Sequence, residues 1–299
     1  MTSRRFPRIC FLLLSVAPSV AVLALDARGV APPVALTLAI LGLIAVLVAL
    51  ERVWPFRADW HAQPRSETVT DVAYVALASV PDRLTRVAIE AAAVVLLGFS
   101  ASRPAESALE RDVLLALLAF LVGDLGKYVI HRASHAIPGL WRFHLAHHQP
   151  DRLTALNALR SHPVNMAYNA AIDTVPLLIL GVSPTSAAVL AALRATVGVL
   201  QHANLDLDDG RQWLLNAPTY HRTHHDVAVD QANHNFGATL LVWDRLFGTL
   251  LRAPAPAVVG VAPLPHRLPL GYFGQTLYPW CGERLDTTCA LARFRWLVR

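Results

Sequence analysis

Long apolar runs at about 9–25, 33–50, 85–99, 112–130, 166–180 and 186–200 constrain the fold of this chain more than any other feature. A hydrocarbon core takes roughly 20 mostly apolar residues per helix, because every backbone N–H and C=O inside it must be bonded within the segment. The composition agrees: of 299 residues, 55% are hydrophobic and 16% charged, with a mean hydropathy of +0.42, against about 25% charged in soluble domains. The last two runs are short and are separated by the turn sequence Gly181-Val182-Ser183-Pro184. They read as a helical hairpin that dips into the membrane and returns. The expected fold class is all-α, with polytopic transmembrane helices: about four spans plus a re-entrant helical hairpin, capped by a cytoplasmic, helical, histidine-rich head.

Positive residues set the orientation. Arg4, Arg5 and Arg8 place the N-terminus in the cytoplasm. Ala21, Ala24 and Ala27 are small enough for a signal-peptidase site, but further spans follow at once, so a retained anchor is expected. Residues 26–33 then lie outside, and the basic stretch with Arg52, Arg57 and Arg65 lies inside. Residues 69–100 make one net crossing, with Asp82 and Arg83 at an interface or a kink, and the loop 103–112 lies outside. The run 112–130 returns the chain to the cytoplasm just as His131 appears.

The formal charge of +5 and pI near 9.5 come almost wholly from arginine, Lys127 being the one lysine. The arginines are scattered beside the apolar runs and form no basic stripe, which speaks against a nucleic-acid partner and for contact with lipid headgroups. Cys10, Cys281 and Cys289 have neither metal-ligand spacing nor a disulfide framework. Three regions are expected: an N-terminal transmembrane region at 1–110, a catalytic domain at 111–250, and a tail at 251–299. The tail is Pro-rich, then aromatic and basic (Tyr278, Trp280, Arg295, Trp296, Arg299), a composition suited to the membrane surface.

Eight of the 13 histidines fall into three tight clusters: His131-Arg-Ala-Ser-His135, His144-Leu-Ala-His147-His148 and His221-Arg-Thr-His224-His225. On a helix, spacings of three and four residues put the imidazoles of a cluster on one face, where they can share a metal ion. Eight exceed what one ion uses, about four protein ligands, so two ions close together are expected. His202, in Gln201-His-Ala-Asn204, stands at the head-side end of the second hairpin arm and can join them. Asp124, two turns before His131, and Asp226, next to His225, are candidates to accept a ligand's other ring N–H. His162, Asn204, His234 and Asn235 are further candidates around the site, whereas His61 and His266 stand alone in loops. Cys and Glu are missing from the clusters, which disfavours a thiolate zinc site and a carboxylate-bridged di-iron bundle. On ligand softness alone the site suits Fe, Zn, Mn or Cu.

At these residues the chain resembles the fatty acid hydroxylase/sterol desaturase superfamily of integral membrane proteins. The resemblance covers roughly 120–250 in ordered blocks: Asp124 through His135, Trp141-Arg-Phe-His144 through His148, Thr154-Ala-Leu156, Arg160-Ser-His162-Pro163, Gln201 through Asn204, Tyr220 through His225, Asn235-Phe-Gly237 and Trp243 through Thr249. The segment Glu51-Arg-Val-Trp54-Pro-Phe-Arg57 is similar to a loop of bacterial members. The resemblance implies a di-iron centre, O2 as co-substrate, and cleavage of a C–H bond of a fatty acyl, sterol or related lipid by hydroxylation or desaturation. It implies His131, His135, His144, His147, His148, His221, His224 and His225 as ligands, with His202 as an addition. Some members carry a further His-x-x-x-His pair where this chain has Gly198 and His202.

Location in a bacterial inner membrane, with the clusters cytoplasmic, follows from the resemblance and the charge pattern together. The sequence holds no dinucleotide, haem or Cys-rich redox motif, so a separate ferredoxin- or cytochrome-type donor is expected, steered by Arg132, Arg142, Arg152 and Arg222. A membrane zinc hydrolase is the alternative, although the sequence has no His-Glu-x-x-His and no obvious general base. A metal transporter would place polar ligands near the bilayer midplane, whereas these gather at the ends of apolar runs.

Overall fold

The computed structural model describes residues 8–61, 64–77, 79–97, 109–207, 212–261 and 271–281. Arg4, Arg5, His266, Cys289, Arg295, Trp296 and Arg299 lie outside the described residues. Among the described residues twelve α-helices follow one another: α1 (Arg8–Asp26), α2 (Pro32–Val53), α3 (Arg65–Leu77), α4 (Ser79–Leu97), α5 (Leu109–Ala136), α6 (Pro138–His148), α7 (Pro163–Leu180), α8 (Pro184–His202), α9 (Pro218–His224), α10 (Val229–Ala232), α11 (Val242–Leu246) and α12 (Tyr272–Cys281). Among the described residues, two isolated bridges, Leu215 with Leu240 and Asp226 with Val259, are the whole of the β-structure.

Proline sets many of the helix starts. α2, α6, α7, α8 and α9 all open on one, where the missing N–H is no loss and φ is already helical. Three described helices, α1, α2 and α5, are long and apolar enough to cross a membrane. Many of their large side chains face outward, among them Leu13, Leu38, Leu114 and Leu118, as a lipid-facing surface requires. α4 falls short because Asp82, Arg83, Arg86 and Glu90 interrupt it.

α1 and α2 pack together and against α8, while α7 lies between α4 and α5. The turn between α7 and α8 closes on Gly181, whose φ of 66° needs a residue without a Cβ. Asp112, at the start of α5, fixes this turn by accepting from Ser183 N (2.8 Å), Ser183 Oγ (2.7 Å) and Ser186 Oγ (2.5 Å). With that end fixed, the opposite ends of α5 and α8 arrive together at a head formed by α6, α9 and the loops around them. A buried core of Leu43, Ile44 and Leu47 from α2, with Leu200, Leu205 and Leu241, ties the head to the bundle.

Candidate metal centre

α5 delivers His131 and His135, and α6 delivers His144, His147 and His148. α8 ends on His202, and α9 with its final turn brings His221, His224 and His225. The structure sorts these nine rings into two groups that cut across the sequence clusters. His131, His135, His144, His148 and His224 form one; His147, His202, His221 and His225 form the other. Within each group the ligand-type nitrogens lie within 4.8 Å of one another. The groups adjoin, with the His148 ring stacked on that of His225 at 4.3 Å between centroids.

Helix geometry explains the sorting. Residues four apart differ by about 40° in direction, whereas adjacent residues differ by about 100°. Each His-x-x-His-His motif therefore gives its outer pair to one group and its middle histidine to the other. His144 and His148 stay together while His147 turns away, and His221 and His225 stay together while His224 turns away.

Five of the outward ring nitrogens are held by oxygens, whereas Nδ1 of His221 and Nδ1 of His225 are buried without a hydrogen-bond partner. Nδ1 of His131 meets Phe236 O at 2.8 Å, and that of His147 meets Arg160 O at 3.1 Å. His202 Nδ1 meets Gly198 O at 2.9 Å, and His224 Nδ1 meets His234 O at 2.8 Å. His144 Nδ1 lies 3.1 Å from Asn165 Oδ1. A carbonyl oxygen only accepts, so each of these Nδ1 atoms carries the proton and leaves a lone pair on Nε2. The Nε2 atoms of both groups point inward: His148 Nε2 lies 3.1 Å from that of His135 and 3.2 Å from that of His144. In the second group His221 Nε2 lies 3.2 Å from that of His202 and 3.1 Å from that of His225. His131 Nε2 is buried with no hydrogen-bond partner.

Burial, aided by neighbouring imidazoles, holds His144, His148, His221 and His225 well below the ordinary histidine pKa, and burial pushes His147 down to about 4. These rings are therefore neutral at pH 7, the form that ligates metals. Converging buried lone pairs on neutral imidazoles fit a divalent cation in each group.

The carboxylates expected to receive ring protons do other work. Asp124 accepts from Leu240 N (3.1 Å) and Trp243 Nε1 (2.9 Å), and Asp226 accepts from Ala228 N (2.9 Å). Backbone carbonyls and Asn165 stand in their place: the loops bring the carbonyls of Phe236, Arg160 and His234 to the rings, and α8 itself offers Gly198 O. His162 caps α7, its Nδ1 accepting from Val164 N at 3.0 Å while Nε2 meets Thr276 O at 2.9 Å. Asn204 pairs with the backbone of Arg57 in both directions. The ring of His234 bonds Asp230 O, and it is the His234 carbonyl that serves His224. Asn235, at φ 58°, braces Tyr220 O and Leu251.

Two of the four arginines expected to steer a partner are also placed otherwise. Arg222 is buried, donates to Ala203 O and Leu205 O, and lies 3.9 Å over the Phe56 ring. Arg152 is buried against the exposed Asp151 at 2.8 Å.

Residues that the spacing of histidines does not announce support the site. Asp244, buried and pushed up to about 6 by that burial, accepts from Phe236 N (2.8 Å), Gly237 N (2.7 Å) and Thr249 Oγ1 (2.6 Å). It thereby fixes the Phe236 carbonyl that orients His131. Gly237 sits so close that a Cβ would lie 2.4 Å from Leu240 O and 2.7 Å from Asp244 Oδ2. Gly237→Ala is expected to cost about 1–3 kcal/mol through this backbone clash. Thermal unfolding and metal content of the variant check it, and an unchanged Tm would contradict the packing described.

The architecture and the paired imidazole groups define a class: a helical protein with membrane-capable spans, built around a histidine-rich candidate metal centre in its head. Residues 116–249, which contain all nine histidines, match the fatty acid hydroxylase family. It is 27% identical over 253 residues to ornithine lipid hydroxylase OlsE of Rhizobium tropici, covering 80% of this chain and 74% of that one. An alkylglycerol monooxygenase of Danio rerio is 32% identical over 157 residues, 52% of this chain and 34% of its own length. A cholesterol 25-hydroxylase-like protein of Danio rerio is 31% identical over 144 residues, 46% of this chain and 55% of its own. The chain thus spans a minor part of the monooxygenase and about half of the last relative. No solved structure matches.

Proposed function

We propose that this protein is an O2-dependent membrane lipid hydroxylase whose nine histidines hold two iron ions, five rings around one and four around the other. The observation that carries the reading is the pair of buried imidazole groups, in which four rings have the outward nitrogen fixed by a backbone carbonyl and a fifth by Asn165, leaving their inward nitrogens with lone pairs. Iron bound there supplies the O2 activation and the oxidising power needed to break an unactivated C–H bond. Hydroxylation is preferred to desaturation because each of the three relatives is named a hydroxylase or a monooxygenase.

The chain's own residues orient the ligands and keep water out. Phe236 packs on His131, His135 and His224 at 5.3–5.7 Å between ring centroids, and Trp141 lies 5.2 Å from His135. These apolar rings shield the five-histidine group, and the lipid approaches from the membrane side along α5, α7 and α8. Electrons come from a separate ferredoxin- or cytochrome-type donor that docks on the head, where Arg142 is exposed. In this reading α4 is a fourth crossing, α7 and α8 form a re-entrant hairpin, and the head faces the cytoplasm of a bacterial inner membrane. The regions 1–110, 111–250 and 251–299 serve as anchor, catalytic unit and membrane-surface tail.

A zinc hydrolase is the weaker reading, since neither group contains a carboxylate to act as general base. Iron-loaded protein with a chemical reductant and a bacterial lipid extract is expected to add one oxygen atom, derived from isotopically heavy O2, to a lipid. Oxygen arriving from water instead, with ester or amide cleavage, would establish the hydrolase.

A further inference from the structure

Beneath the histidines, on the membrane side, several charged side chains stand between α4, α5, α7 and α8 without a part in the chemistry above. Asp173, buried in α7, receives Lys127 Nζ at 2.7 Å, Arg194 through Nη1, and Arg86 Nη2 at 3.8 Å. Arg86 also pairs with Asp82 at 2.8 Å and donates to Thr174 Oγ1 at 2.8 Å. Arg194 donates to Phe120 O at 2.5 Å, lies 4.6 Å over the Phe120 ring, and fits because residue 123 is glycine: a Cβ there would be 2.8 Å from Arg194 Nη2.

Three cations thus meet two carboxylates, of which Asp82 is 37% exposed and Asp173 is 10% exposed. Asp124, one turn before Lys127, gives its hydrogen bonds to Leu240 and Trp243 and acts on Arg194 and Lys127 only through space, as exposed Glu90, one turn beyond Arg86, acts on Arg86. Joining α5 to α7 requires only one cation for Asp173. The additional cations carry a desolvation cost that a structural pin does not explain. Arg194, 91% buried by its 9% exposure, also keeps an Nε without a hydrogen-bond partner.

The cluster's position connects it to the site. Lys127 precedes His131 by four residues on the same face of α5, about 6 Å, and Arg194 precedes His202 by eight on α8, about 12 Å. Asp173 likewise lies eight residues from Asn165, which holds His144.

We propose that Arg86, Lys127 and Arg194 receive an anionic oxygen group, a carboxylate or a phosphate, of the lipid substrate, and so set its reacting carbon roughly 6–12 Å away at the histidines. The inference rests on the hydroxylase reading and narrows its substrate to acidic or zwitterionic lipids, excluding sterols and neutral glycerides. An anionic phospholipid of the bulk membrane offers the same chemistry, but a cluster beneath the ligand helices lies on the substrate's path.

Native mass spectrometry of the full chain, metal-free and in neutral detergent, with N-oleoylglycine and monoolein as probes, tests this. The wild type is expected to prefer N-oleoylglycine by about tenfold or more, the scale of a hydrogen bond to a charged group. Lys127→Met and Arg86→Gln lose that preference, while Lys127→Arg keeps it and shows that charge rather than folding is responsible. Equal binding of both probes to wild type overturns the proposal, as does a preference unchanged in Lys127→Met. The probe must also compete with lipid oxidation in the iron-loaded enzyme. Binding without competition assigns the cluster to a bulk phospholipid and overturns the substrate role. Selective binding in a protein that takes up no O2 sinks the hydroxylase reading and leaves the anion site standing.

Discussion

His202→Ala is expected to empty the four-histidine group, which under the proposed di-iron reading takes the iron content from two per chain towards one and lipid hydroxylation below about a hundredth of wild type. Loss of a partner that merely orients a ligand costs about 10–100-fold in affinity or activity, so loss of a ligand in a group with none to spare costs at least that. His147, His221 and His225 are the remaining members. His162→Ala is the contrast: its ring caps α7 at Val164 N and holds Thr276 O, so the variant should lose about 1 kcal/mol of stability and keep both ions. Iron analysis with Mössbauer spectroscopy on anaerobically loaded protein reads both variants. Full iron and full activity in His202→Ala would refute the division into five and four.

The helices were legible because the bilayer imposes a simple rule on sequence, and the apolar runs at 9–25, 33–50 and 112–130 all lie within helices that meet it. The hairpin arms at 166–180 and 186–200 also fall in α7 and α8. The number of crossings was not legible, since α4 mixes an apolar stretch with Asp82, Arg83, Arg86 and Glu90. The nine histidines were all marked by their spacing to apolar segments. Their division was recoverable in principle from the 100° step per residue, which separates His147 from His148 and His224 from His225. It was obscured by treating each motif as a single face. Supports for the rings were the least visible part. Main-chain carbonyls at Phe236, Arg160, Gly198 and His234 do work that pattern reading assigns to Asp124 and Asp226, and any residue type carries a carbonyl. One sign did exist: Gly237 and Asp244 lie in the ordered blocks after the last cluster, and both act on the loop that aims Phe236 O.

Arg160 joins this support to stability, and its removal should be the most damaging change outside the histidines. Its carbonyl aims His147, while its guanidinium reaches α3, bonding Glu67 Oε2 at 2.6 Å, Glu67 O at 3.2 Å and Asp71. The Arg160 and Asp71 side chains are each 1% exposed. Arg160→Met takes the Arg160 cation away from two buried carboxylates, a loss expected at about 3–5 kcal/mol. The loop that carries the Arg160 carbonyl is freed with it, so iron in the four-histidine group should fall in the same variant. The triple variant Glu67→Met, Asp71→Leu, Arg160→Met removes the whole ionic cluster, and apolar replacement of a buried ion pair is often neutral in stability. It should therefore unfold at a higher temperature than Arg160→Met alone, although it removes more of the observed bonds. Chemical or thermal denaturation of the three proteins in one detergent decides the matter. A triple variant no more stable than the single one would mean that the ionic cluster holds α3 against the head by attraction, and that the cost does not lie in the carboxylates left behind.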